Sequence, residues 1–174
     1  MQYVDVAARA LLLTVFALAL VSKITSRGAW IAFADSIRAM DVIPRAMTPA
    51  AAVVTAAGEA GVIVLAAVPV RWAGSAAFVL ASLLLGCLTV AVVMVVRRGA
   101  AVPCRCFGAT ETTMGMPHVV RNLILAGTAL LGLAASFVGG SFDPLFTAVV
   151  ALFGAVLGLL MARWDDLYSL LGTS

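Results

Sequence analysis

Two cysteines one residue apart, Cys104 and Cys106, lie in the short polar run Pro103-Cys104-Arg105-Cys106-Phe107-Gly108 between two long apolar segments. The chain has only three cysteines, so two placed together at the edge of an apolar block point to thiol chemistry. A bridge across a single residue would close a small, strained ring, and strained, accessible disulfides are the ones that exchange. Arg105 and the backbone amides opening the next helix would favour the thiolate form. Two other readings of the residues stay open. Joined by Met114, Met116 and His118, the pair would make a soft donor set suited to Cu(I); alternatively, it is two ordinary cysteines in a turn of small residues. His118 follows Pro117 at an expected helix start, where a capping or interfacial role is the commoner one. Cys87, mid-segment, reads as a packed small hydrophobe, with a relay thiol as its functional alternative.

Glu59 is the second residue that could do chemistry. A carboxylate inside an apolar run is costly and is expected to face a bundle interior with a partner; Lys23, Arg121 and Asn122 are the candidates. It would serve either as an interhelical salt bridge that fixes packing or as a proton donor and acceptor for thiol exchange. Gly58 and Gly61 flank it and would allow a backbone or ligand to come close.

The elements that must position these groups follow from composition. Of 174 residues, 64% are apolar and 11% charged, with a mean hydropathy of +1.15, too few charges to cover the surface of a water-soluble domain. The chain is therefore expected to be an integral membrane protein. A span needs about 20 mostly apolar residues in a helix that satisfies its own backbone hydrogen bonds. Five stretches qualify: about Val4 to Ser22, Pro49 to Val70, Ala73 to Val96, Pro117 to Val138, and Pro144 to Arg163-Trp164. The first could be mistaken for a signal peptide, since Ala17-Leu18-Ala19 has the small-x-small pattern, but the residues before it lack a basic group and include Asp5.

Between the first two spans, Trp30, Ile31, Phe33, Ile37 and Met40 recur at helical spacing among Asp35, Arg38 and Asp41, which predicts an amphipathic helix along the membrane surface or capping the bundle. The other connections are short, so neighbouring helices should run antiparallel. Gly154 and Gly158 offer a close-approach face on the fifth helix. The net charge of +3 comes from arginines at segment ends. No basic face forms, so no nucleic-acid partner is expected; the expected surroundings are the lipid bilayer.

With these residues in view, the chain resembles the MauE family of methylamine utilisation membrane proteins, within the wider DoxX-like group of redox-associated membrane proteins. The resemblance rests on Ser22-Lys23 closing the first helix, Phe33, Glu59, Cys104-x-Cys106-Phe107-Gly108 and Arg121-Asn122, and covers about residues 9 to 135. It implies an all-α, antiparallel four-helix transmembrane bundle in a single domain spanning 1–174, extended by a fifth helix at about 144–163 for which it implies nothing. It also implies disulfide or electron exchange at a bacterial inner membrane with a thioredoxin-like or other redox partner in protein maturation. In that mechanism Cys104, Cys106, Glu59 and Arg121 would carry the reaction, supported by Arg105, Asn122 and Lys23. A separate class of four-helix membrane oxidoreductases reoxidises its cysteines with quinone, which makes quinone a cofactor by analogy only; no quinone-binding fingerprint stands in the sequence.

The rival functions are a soft-metal handling membrane protein and a non-catalytic subunit that docks a larger complex. Sidedness is contested. Five spans put Lys23, Arg27, Arg38, Arg45, Arg97, Arg98, Arg105, Arg121 and Arg163 on the cysteine side against Arg9 and Arg71 opposite, which by the positive-inside rule is cytoplasmic. Stable disulfides belong to the other compartment.

Overall fold

A computed structural model describes residues 2–100, 102–104, 112–138 and 143–164. Six helices account for nearly all of them: α1 (Gln2–Ile24), α2 (Arg27–Met40), α3 (Thr48–Ala67), α4 (Arg71–Arg97), α5 (Met116–Ser136) and α6 (Pro144–Ala162). Five, all but α2, are long and apolar enough to cross a bilayer, as the sequence predicts.

Their boundaries have local causes. Ser26 caps α2, its Oγ accepting the Ala29 N–H at 3.0 Å, and Asp41 stops it in the left-handed region at φ 48°, which a short polar side chain tolerates. The α3 helix takes Pro49 in its first turn and ends at Val68, the residue before Pro69, where helical geometry is disfavoured. Asp143 caps α6 by accepting the Phe146 N–H at 2.9 Å, with Pro144 at the first helical position.

Helix α1 is the hub. Leu11, Leu12, Val15 and Phe16 from α1 pack with Val62 of α3, Phe78, Ala81 and Leu85 of α4, and Leu125 and Ala129 of α5. On its other side α6 runs against it at very short range: a methyl group at Gly158 would stand 2.8 Å from the Leu11 carbonyl oxygen, and one at Gly154 would collide with the Ala7 carbonyl. Between apolar helices in lipid, such contact is where association energy comes from.

Helix α2 lies across one end of the bundle against α1 and α3. It buries Phe33, Ser36 and Met40 while leaving Arg38 and Asp35 exposed, so the amphipathic segment caps the bundle. A second, smaller cluster joins Met40 to Val92, Val95, Val102, Met114 and Val119 at the same end. Above it the chain forms one feature outside the all-α expectation, a two-residue antiparallel ladder of β1 (Pro103–Cys104) and β2 (Thr112–Thr113), with Cys104 opposite Thr112. Arg98, just past α4, donates to the Asp41 carbonyl at 3.1 Å and so ties the approach to this ladder to the end of α2.

Candidate functional site

The last turn of α1 points Lys23 into the bundle beneath α2. Its ammonium bridges both oxygens of Glu59 on α3, at 2.7 and 3.0 Å, and donates to the Ala19 carbonyl at 3.1 Å. The Phe33 ring of α2 covers the ammonium, 4.9 Å from nitrogen to centroid. Lys23 is 2% exposed and Glu59 3%. Of the three partners the sequence offered for Glu59, Lys23 makes the ion pair.

Helix α5 completes the enclosure from the opposite wall. Its first two turns bury His118, Arg121 and Asn122, and all three line, with Lys23, Glu59 and Phe33, a small, largely enclosed cavity of about 30 Å³, room for a water or two. Arg121 is the largest fully buried side chain described. His118, Arg121 and Lys23 each take part in additional interactions within the fold. Asn122 is 5% exposed and lines the cavity.

His118 does two things at once. Its Nδ1 accepts the Gly115 N–H at 3.3 Å while its backbone N–H donates to the Gly115 carbonyl at 3.1 Å. That reciprocal pair caps α5, as the sequence suggests. An acceptor at Nδ1 puts the proton of a neutral imidazole on Nε2. The same side chain walls the cavity, a role that capping alone does not require.

The described flanks of the cysteine run lie at the chamber end of the bundle. Cys106, Arg105 and the rest of 105–111 lie outside the described residues, and Cys104 is described through its backbone pairing. The two flanks of the run are firmly seated: Met114 N–H donates to the Val102 carbonyl at 2.8 Å, and both residues pack on Met40, Val92 and Val119. Met40 and Val92 also line the cavity. One layer of side chains therefore separates the base of the loop from the charged cluster.

The soft-metal donor set is dispersed where it is described. Met114 is buried in the apolar cluster, Met116 is 61% exposed, and His118 faces the cavity. Among the described residues no three histidine, cysteine or acidic side chains converge on a metal position. Cys87 corrects the expectation of a packed thiol: it is exposed and lines an apolar groove between α2, α3 and α4. In a helix that is apolar all round, periodicity cannot separate the core face from the lipid face.

Sequence reasoning underestimated Phe33 as the cover on Lys23 and did not find Thr55, which lines both the cavity and the groove. The signal for Phe33 was its position on the apolar face of α2, a few residues after a lysine that closes a span.

A family model for methylamine utilisation protein MauE matches residues 1–135. Comparison with curated proteins and with solved structures finds no match. The matched region contains α1 to α5 up to Ala135, with the whole chamber, and leaves α6 outside.

Proposed function

The chain belongs to the MauE family of methylamine utilisation proteins, and from that premise we propose that it is a membrane thiol–disulfide exchange protein whose reactive pair is Cys104 and Cys106. The proposal is supported by the flanks of the cysteine run: Cys104 pairs with Thr112, and Val102 and Met114 pack on Met40 and Val92, which also line the cavity with the buried Lys23, Glu59, His118, Arg121 and Asn122. Charged groups are expensive in a span and are kept there for chemistry or transport rather than cohesion.

In this mechanism one loop thiolate attacks a disulfide of a protein partner, or the oxidised pair accepts electrons from a partner dithiol through a mixed disulfide. Arg105 and Arg121 supply positive charge that favours thiolate. Glu59, held by Lys23, exchanges protons with the cavity. A thioredoxin-like protein is the partner chemistry that fits, and protein maturation in a bacterial inner membrane is the process. Arg27, Arg38, Arg45, Arg97, Arg98 and Arg163 are exposed on the chamber side; by the positive-inside rule that side is cytoplasmic, which favours the electron-accepting direction.

The test is trapping. With a single cysteine left in the loop, either Cys104→Ser or Cys106→Ser should accumulate a mixed disulfide with a partner protein in membranes, and the double replacement should accumulate none. Trapping that persists in the double variant refutes the proposal.

A further inference from the structure

A second site lies at the end of the bundle away from the cysteine run. There α1 forms the floor of an open groove of about 500 Å³, walled by the end of α3, its connection to α4 and the start of α6. Small-molecule sites commonly enclose about 300–1,000 Å³. Asp5, Arg9, Arg71 and Thr147 line it at the ends of the helices, and Ala10, Leu13 and Ala66 continue it inward. Leu13 stands two helical turns deeper than Asp5, so the lining passes from charged to apolar along the direction of the spans. Val70 on the rim is exposed, and Trp72, the residue after Arg71, is 70% exposed. An exposed tryptophan beside an arginine at a span end marks the headgroup level of a bilayer.

The charges of the lining are not equivalent. Asp5 and Arg9 compensate each other at 3.0 Å, and Arg9 also donates to the Val68 carbonyl at 3.2 Å. Arg71 therefore gives the groove its net charge. It donates to the Ser136 carbonyl at 2.9 Å and makes no other hydrogen bond among the described residues, which leaves most of its five-donor fork for a ligand. Such a fork suits phosphate oxygens. Asp5 adds an acceptor: the residue is 8% exposed, and its Oδ1 is buried with no hydrogen-bond partner among the described residues. A buried acceptor without a donor calls for one.

We infer that this groove binds an anionic glycerophospholipid of the leaflet opposite the cysteine run. Phosphodiester oxygens accept from Arg71, a headgroup hydroxyl donates to Asp5, and an acyl chain lies along Ala10, Leu13 and Ala66. The single uncompensated guanidinium matches the single charge of a phosphodiester, whereas a zwitterionic headgroup would bring its ammonium beside Arg9 and Arg71. A free phosphate would leave the apolar part of the groove empty. The site also depends on α6, which supplies Thr147 and Ala151 and lies beyond the residues matched by the family model. It makes no use of the loop cysteines, so its test is independent of the thiol-exchange reading.

Native mass spectrometry of the full chain released from detergent micelles counts bound lipids. With dioleoyl phosphatidylglycerol, phosphatidylethanolamine and phosphatidylcholine supplied in turn, one phosphatidylglycerol should be retained per chain. Its affinity should exceed that of either zwitterion by about tenfold, the ratio that one charge-assisted contact contributes. Arg71→Gln keeps a donor for the Ser136 carbonyl but removes the charge, and should bring phosphatidylglycerol down to the level of the zwitterions; Arg71→Lys should restore most of the preference. Ala151→Leu, which narrows the groove from α6, should weaken phosphatidylglycerol retention by a similar factor. Thermal unfolding without added lipid reports whether each variant is folded. Equal retention of the three lipids, a preference that survives Arg71→Gln in a folded protein, or displacement by an excess of soluble glycerol phosphate overturns the site. If Arg71→Gln does not fold, the ranking of the three lipids on the wild-type chain and the result for Ala151→Leu decide.

Discussion

The two ends of the bundle hold cations in opposite ways. At the end away from the cysteine run, Arg9 pairs with Asp5 one turn back at 3.0 Å and donates to the Val68 carbonyl at 3.2 Å. Arg71 donates to the Ser136 carbonyl at 2.9 Å, beside a Ser75–Ser136 hydroxyl contact of 2.9 Å. These guanidiniums close the C-terminal ends of α3 and α5, where backbone carbonyls lack helical partners. At the chamber end, Lys23 spends its donors mainly on a carboxylate from another helix and sits under an aromatic ring. Arg121, His118 and Asn122 converge with it on an enclosed space. One arrangement terminates helices, and the other joins α1 to α3 through a buried ion pair beside an enclosed space.

The largest expected break in that contrast is at Lys23. Lys23→Met leaves Glu59 buried without its ammonium, and removing one member of a buried pair costs about 3–5 kcal/mol. Reversible unfolding in mixed micelles should record a loss of that order. Adding Glu59→Leu should recover most of the stability, because apolar replacements of a whole buried pair are often neutral, while partner trapping stays impaired. Recovery of trapping together with stability would make the pair a packing device and return the chamber end to the same class as the far end.

A smaller effect is expected from Arg71→Leu. It removes one charge-assisted hydrogen bond to a carbonyl at an exposed position, a loss of about 1 kcal/mol after solvent screening. Mixed-disulfide trapping should be unchanged, since the substitution lies at the other end of the spans. A trapping defect as large as that of Lys23→Met would erase the distinction between the ends.

The smallest effect should have the opposite sign. Asn122→Leu replaces a buried amide at the cavity wall with an apolar side chain of similar size, so stability should hold or rise by up to about 1 kcal/mol, while exchange with the partner slows. Destabilisation comparable to Lys23→Met would mean that Asn122 is held by the fold.

Several parts of this arrangement were legible before any coordinates. The five spans follow from long apolar runs bounded by Pro49, Pro69, Arg97-Arg98, Pro117 and Pro144, because a bilayer permits only helices that satisfy their own backbone. An amphipathic α2 was readable from the spacing of Phe33, Ile37 and Met40, with the membrane surface and the bundle end both open as its place; packing against α1 and α3 puts it at the bundle end. Glu59 announced itself as a buried group in need of a cation, and Lys23 was among its candidates. Choosing Lys23 over Arg121 was beyond the sequence, since both stand at span ends on the same side and only the packing of α1 against α3 brings one of them within 3 Å. Cys87 was misplaced for the same reason: lipid and protein core are equally apolar, so side-chain type does not report which face is covered.

Composition and residue spacing thus determined that this chain crosses a membrane five times, that a cysteine pair stands at one boundary, and that a carboxylate is buried within a span. Those conclusions are local, each following from the cost of exposing backbone or charge to hydrocarbon. Tertiary structure alone decided that Lys23, Glu59, His118, Arg121 and Asn122 meet around one cavity, that Phe33 covers the ammonium, and that the cavity adjoins a groove on the lipid side. Those depend on which helices touch and at what rotation, and in an apolar solvent that rotation is set by the fit of small residues such as Gly154 and Gly158 against α1 rather than by the hydrophobic pattern.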